Sequence, residues 1–343
     1  MDTQLVKGTT ENILLAAELL KRGEIVAIPT ETVYGIAADA SDGSAVKKIF
    51  LAKGRPQDNP LIVHIADFAM LYRVAAQVPQ KAERLAEAFW PGPLTMILPR
   101  GEFPCDETCA SLSSVGVRFP AHKTAQAVIR AAGVPLAAPS ANLSGKPSPT
   151  NAADVYADMK GRLPLVLDGG ECDAGVESTV VSLLGEKVTL LRPGFVTKEE
   201  MEEVLGEEVV LARAVTERLQ TGEKALSPGM KYKHYAPDAE LVLVKGGMPA
   251  FIRYVEKRKT DGTWCLCFDR EEGGMPCPAL SYGKEGDGAA QAHAVFARLR
   301  ELDRLGAKTV FVRCPADTGV SLAVYNRLLR AAAFRVVDAE KTE

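Results

Sequence analysis

The chain reads as an α/β protein of two domains, a twisted mixed-sheet domain followed by a smaller doubly wound one. Three observations predict this. Strand-length apolar runs alternate with helically spaced stripes over the first two hundred residues or so. A basic, weakly periodic stretch over 207–237 then breaks the alternation, which restarts at Asp238. The 343 residues, 47% of them hydrophobic, are enough for two cores.

Taken in order, Thr9–Glu11 gives a helix start, Ile13, Leu14, Ala17 and Leu20 form its stripe, and Gly23 stops it. A strand at Ile25–Ile28 runs into the polar loop Pro29–Gly35. Helices are expected at Ser44–Ala52, Lys81–Phe89, Thr124–Ala132, Ala152–Met159 and Lys198–Leu205. Strands are expected at Leu61–Ile65, Leu94–Leu98, Val115–Arg118, Leu136–Ala138, Leu165–Asp168, Thr179–Leu184 and Val188–Arg192. Short turns between several strands predict a mixed rather than a purely parallel sheet. The domains are expected at 1–206 and 238–343, with 207–237 between them. From Arg213 to Pro237 five Lys/Arg face two Glu, a surplus of three positive charges. The second domain shows strands at Leu241–Val244, Trp264–Phe268 and Thr309–Arg313, and helices at Ala250–Lys257, Ala289–Leu305 and Leu322–Ala333. A Gly/Pro/Glu-rich loop spans Arg270–Gly288.

A net charge of −3 argues against a protein that coats nucleic acid by bulk charge, so any polyanion site must be a local cluster of cations. Seven scattered cysteines lack paired metal spacing and suit reduced thiols. No apolar run approaches the ~20 residues that span a bilayer. The expectation is a soluble, cytoplasmic protein with no membrane association.

Walker A, GxGxxG, HExxH and GxSxG patterns are absent. What stands out is a series of polar loops next to expected strands, where α/β proteins collect ligands. Pro29–Gly35 offers Thr30, Thr32, Glu31 and Tyr34, groups that suit either a site or a capped turn. Lys53-Gly54-Arg55 pairs a point charge with a bidentate fork, suiting a polyphosphate or a solvated turn. His64 lies in the apolar run Leu61–Ile65, as a core histidine or a ligand. Arg118, inside an alternating strand, needs an anion or a surface. The small-residue loop from Ala138 to Thr150, with Ser140, Asn142, Ser144, Lys146 and Ser148, lets backbone amides approach an anion. Ser178 begins one strand and Arg192 ends another. Lys53, Arg55, Arg118, Lys146 and Arg192 together suggest a nucleotide triphosphate.

The motifs PTETVYG, AKGRPQDNPL, WPGPLT, VGVRFPAH, APSANLSGKPSPT, GVESTVV, LLRPG and SPGMKYKHYAP follow in this order over residues 29–237. They resemble the long form of the YrdC/Sua5 family, the threonylcarbamoyl-AMP synthases. The resemblance implies a YrdC-like mixed-sheet domain with an open cleft and a Rossmann-like C-terminal domain. It implies a nucleotidyltransferase that joins L-threonine, bicarbonate and ATP, with Mg²⁺ carried by ATP and no protein-held metal. The product would pass to the transferase machinery for the N6-threonylcarbamoyl modification of tRNA adenosine 37, without stable tRNA binding. It further implies that Thr32, His64, Arg118, Ala138 (through its backbone) and Ser178 hold threonine, with Arg118 on the carboxylate. Arg55, Asn59, Ser114, Ser140, Ser148 and Arg192 would hold the nucleotide. Lys53 and Asn142 would complete a catalytic group with Arg55 and Ser140, and Tyr235 would close over the nucleotide from the linker, acting as a lid.

Two other readings compete with this one. A carbamoyl transferase related to hydrogenase maturation proteins would bring an acylphosphatase-like domain and zinc-finger cysteine pairs, which this sequence lacks. A double-stranded RNA module would need more positive charge and interleaved aromatics.

Overall fold

A computed structural model describes residues 2–217 and 235–341. They divide into two compact units. One holds 2–144 and 148–215; the other holds 235–341 with the short stretches 145–147 and 216–217. Residues 207–215, expected in the linker, thus belong to the first unit, because their apolar residues pair with its last strands.

The first unit begins with β1 (Gln4–Lys7) and α1 (Thr10–Lys21). The Thr9 hydroxyl caps α1 by accepting from the Asn12 amide, and Ala16, Ala17 and Leu20 form its buried face. Leu14, expected in that stripe, is 56% exposed. Then follow β2 (Val26–Ile28), β3 (Gly35–Asp39) and α2 (Gly43–Lys53), the helix capped by the Asp42 carboxylate. Next come β4 (Ile62–His64), α3 (Phe68–Val74), α4 (Gln80–Phe89), β5 (Leu94–Pro99) and the single turn α5 (Asp106–Cys109). β6 (Ser114–Arg118), α6 (Lys123–Ala132), β7 (Leu136–Ala137), α7 (Ala152–Met159) and β8 (Leu165–Asp168) lead to the last part. It consists of β9 (Thr179–Ser182), β10 (Thr189–Arg192), α8 (Lys198–Leu205) and β11 (Val210–Leu211). A capping box of Thr197 and Glu200 starts α8.

Among the described residues these strands form one mixed sheet of eleven, ordered β1-β8-β2-β3-β7-β4-β6-β5-β9-β10-β11. β4 runs parallel to β6, β5 runs antiparallel to β6 and parallel to β9, and β9 runs antiparallel to β10. Where neighbouring strands run antiparallel, their carboxyl ends lie at opposite edges, so the polar loops expected at the strands do not all gather at one edge. Register decides which residues meet, and it aligns His64 with Arg118, Arg118 with Thr95, Thr95 with Val180, and Val180 with Arg192. These five residues form one row across β4, β6, β5, β9 and β10.

The second unit contains β12 (Glu240–Lys245), α9 (Met248–Glu256), β13 (Thr263–Cys267), β14 (Ala279–Ser281), α10 (Gly288–Arg304), β15 (Thr309–Arg313), α11 (Gly319–Ala331) and β16 (Val336–Asp338). Its sheet is all parallel, in the order β14-β13-β15-β12-β16. The stretch expected as the Arg270–Gly288 loop contains β14, which lies at the sheet edge beside β13.

Candidate active site

Side chains directly opposite each other on paired strands share a face of the sheet. His64, Arg118, Thr95 and Arg192 therefore stand side by side, and all four are buried. Two buried arginines in one row require partners. Arg192 donates from Nε to the Ser178 carbonyl at 3.0 Å and from Nη2 to Ser178 Oγ at 3.1 Å. Ser178 Oγ in turn lies 2.8 Å from Thr95 Oγ1. Arg118 donates from Nη1 to Thr32 Oγ1 at 2.8 Å, and its Nη2 lies 2.8 Å from Glu31 Oε1.

The loop after β2 brings Glu31 and Thr32 to Arg118, although β2 and β6 are four places apart in the sheet. Its shape follows from its own residues. Thr30 Oγ1 accepts from the Thr32 and Val33 amides and donates to the Val33 carbonyl, closing a tight turn. Tyr34 donates to the Gly170 carbonyl at 2.7 Å and accepts from the Gly169 amide at 3.1 Å. Burial pushes the Tyr34 phenol well above its ordinary pKa, so it stays protonated and braces the loop. The Ala174 amide donates to the Glu31 carbonyl at 2.8 Å.

Electrostatics sort the members of the row. Burial, then the neighbouring Arg118 charge, pushes the His64 pKa down to about 3, so the imidazole is neutral. Burial by itself would raise the Glu31 pKa, but the Arg118 guanidinium outweighs it and holds the carboxyl below its ordinary value. Glu31 is thus the anion and Arg118 the cation of a buried pair.

The residues expected on the nucleotide fall into two groups. Lys53, the last residue of α2, is buried. It donates to the Ser140 carbonyl, to the Asn142 carbonyl at 2.7 Å, and to Asn142 Oδ1 at 3.4 Å. Ser140 Oγ donates to Asn142 Oδ1 at 2.5 Å. Lys53, Ser140 and Asn142 are therefore bonded to one another, with the ammonium clamping the loop. Arg55 donates to the Asn59 and Pro60 carbonyls, both at 3.3 Å. The Asn59 side-chain amide is buried, and neither its oxygen nor its nitrogen has a hydrogen-bond partner among the described residues. An orphaned buried amide of this kind asks for a ligand. Ser114 begins β6 on the same face as Arg118, with Gly116 between them. Four residues of strand separate the two by about 13 Å.

The second group sits at the other end of β6. Arg192 stands in the row with Arg118, bonded to Ser178. Ser148 is fully buried and donates to Glu177 Oε1, next to Ser178. The backbone at Ala138 joins the row's strands, its amide donating to the Ile62 carbonyl at 2.9 Å.

Two residues belong to the second unit. The Tyr235 ring packs 5.3 Å from the Phe296 ring, with the Arg327 guanidinium 5.6 Å from its centre. Lys146, counted above among the cations around a triphosphate, lies 2.5 Å from Asp238 and 3.6 Å from Asp303. These carboxylates neutralise it within that unit. Residues 218–234, most of the expected lid, lie outside the described residues.

Sequence reasoning gave no role to Thr95 or Glu177, and left Glu31 among groups that suit either a site or a capped turn. Glu31 was visible inside PTETVYG. Thr95 carried no signal, since a threonine in an apolar strand is ordinary and its partner Ser178 is 83 residues away.

A family model for Sua5, YciO and YrdC proteins, described as telomere recombination, matches residues 18–194. A second, described as threonylcarbamoyl-AMP synthase, C-terminal domain, matches residues 196–333. A threonylcarbamoyl-AMP synthase from Pyrococcus abyssi is 42% identical over 334 residues, covering 95% of both chains. One from Bacillus subtilis is 43% identical over 329 residues, 95% of this chain and 94% of its own. A crystal structure of P. abyssi Sua5 complexed with L-threonine matches with a TM-score of 0.90 at 40% identity, covering 98% of this chain and 99% of that one.

Proposed function

The chain belongs to the threonylcarbamoyl-AMP synthases in their long, two-domain form, and from that premise we infer that it joins L-threonine, bicarbonate and ATP into L-threonylcarbamoyladenylate, releasing pyrophosphate and water. The layout of β6 is the observation that supports the division of roles. One end offers a buried guanidinium with a hydroxyl beside it, the other a serine, and Gly116 lies between them on the same face, along the lane that a ligand spanning both ends would follow.

In this reading Arg118 holds the threonine carboxylate, and Thr32, His64, Ser178 and the Ala138 backbone enclose the rest of the amino acid. Arg55, Asn59, Ser114 and Ser140 hold the nucleotide, on a loop that Lys53 and Asn142 keep in place. The α-phosphate must reach the amino-acid end, which suits Arg192 and Ser148 as its contacts there.

The reaction asks for placement more than for a protein nucleophile. Once the threonine ammonium has given a proton to solvent, the free amine adds to the bicarbonate carbon with loss of water, and a carbamate oxygen then attacks the α-phosphorus as pyrophosphate leaves. Holding the partners in line supplies several kcal/mol of such barriers. Neutral His64 accepts or donates a hydrogen bond without adding charge beside Arg118. Mg²⁺ arrives with ATP and supplies charge neutralisation on its phosphates. The fixed donors at the nucleotide end are guanidinium, ammonium, hydroxyl and amide groups, which suit phosphate oxygens and leave the metal to ATP.

The product then passes to the transferase that modifies tRNA adenosine 37, in the cytoplasm, without the synthase holding the tRNA. Among the described residues no helix is long and apolar enough to cross a membrane. The test is pyrophosphate release from ATP with threonine and bicarbonate each omitted in turn. Release is expected only with both present, and release without threonine would overturn the assignment.

A further inference from the structure

We propose that Glu31 recognises the ammonium group of the amino-acid substrate, so that the site accepts a zwitterion and rejects the matching hydroxy acid. The proposal rests on the reading of Arg118 as the carboxylate clamp and adds the partner for the opposite charge.

Glu31 Oε1 lies 2.8 Å from Arg118 Nη2, yet neither Glu31 oxygen nor that nitrogen has a hydrogen bond of good alignment. Charge holds the pair, and although the Ala121 and Glu31 backbone amides also face the carboxylate, its hydrogen bonds are only loosely made. Buried groups in that condition are poised for a ligand. The backbone around Glu31 is fixed by the Thr30 turn and by the Ala174 amide on the Glu31 carbonyl. Its carboxylate can turn aside but cannot leave the site.

A substrate carboxylate arriving at Arg118 places two anions against one buried guanidinium. An anion alone would leave an uncompensated buried charge, which is costly. A zwitterion brings its own ammonium, and two opposite pairs result from one: Arg118 with the substrate carboxylate, and Glu31 with the substrate ammonium. His64 is neutral and adds no competing charge. The selection is therefore for an α-amino acid as a class, made by charge balance.

Calorimetric titration of the full chain with L-threonine and with 2,3-dihydroxybutanoate, which has a hydroxyl in place of the ammonium, tests this. The unaltered protein is expected to prefer threonine by about 100-fold, since an unpaired buried charge costs that much or more. Binding of the two within about 3-fold of each other, roughly 0.6 kcal/mol, would overturn the proposal without any variant. In Glu31→Gln the preference should shrink to about 3-fold, with Glu31→Asp restoring most of it. A Glu31→Gln protein that keeps the full preference, while Arg118→Gln abolishes binding of both ligands, sinks the proposal and leaves the clamp standing. Unchanged threonine binding in Arg118→Gln removes the clamp and the proposal with it.

Discussion

His64 sits in an apolar strand with its pKa held at about 3, by burial first and by Arg118 second. The unfolded chain protonates this imidazole below about pH 6.5, while the folded chain does not. Stability is therefore complete above that pH and is lost as the pH falls from about 6.5 toward 3. Between pH 7 and pH 5 this residue should remove about 2 kcal/mol. Urea titrations at the two pH values should show that loss in the unaltered protein and a much flatter dependence in His64→Gln. Glu31 pulls the same way only at lower pH, since its carboxyl lies below the ordinary value, so the chosen window isolates the histidine. At this scale the sequence made the cations legible, because a lysine, arginine or histidine beside an apolar run is conspicuous. It left their partners unassigned. The Arg118–Glu31 and Ser178–Thr95 contacts join residues 87 and 83 positions apart, and only the folded arrangement of loops on paired strands brings them together.

Secondary elements were legible wherever local chemistry decided them. The Thr9 cap, the Asp42 cap and the Thr197–Glu200 box sit where the helix starts were read. The strands that escaped, β1, β3, β11, β14 and β16, are short, and β3 (Gly-Ile-Ala-Ala-Asp) has one β-branched residue. Their pairing partners, not their propensities, make them strands. The functional consequence of an element is clearest on β6, where Gly116 separates Ser114 from Arg118 on one face. A Cβ there would lie 3.2 Å from Ile97 Cδ1 and 3.4 Å from Thr95 Cγ2, so a larger side chain must project into the lane or displace them. Gly116→Val is expected to cost about 1–3 kcal/mol of stability by overpacking. It should also cut turnover at saturating substrate at least about tenfold, because a misplacement of an ångström can cost a hundredfold. Thermal melts paired with steady-state pyrophosphate release check both, and normal turnover would show that the lane lies elsewhere.

For the molecule as a whole, the two-unit organisation was legible from the basic interruption, but its start was misplaced. Residues 210–211 look like linker until their pairing with β10 is seen. The net charge of −3 gives no long-range field toward RNA. Affinity for tRNA should therefore be weak, with a log–log salt slope no steeper than about −1. A slope of about −4 or steeper would reveal a phosphate footprint and return the RNA-binding reading to contention. The row His64–Arg118–Thr95–Val180–Arg192 draws on strands scattered over 129 positions of chain, and β1 pairs with β8, some 160 residues further on. A nascent chain leaving the ribosome amino end first thus carries an unfinished amino-acid pocket for most of its synthesis. Its first strand waits for residues 165–168, and the pocket waits for Ser178. Translation halted before that point yields a chain that can bury apolar surface but cannot hold threonine.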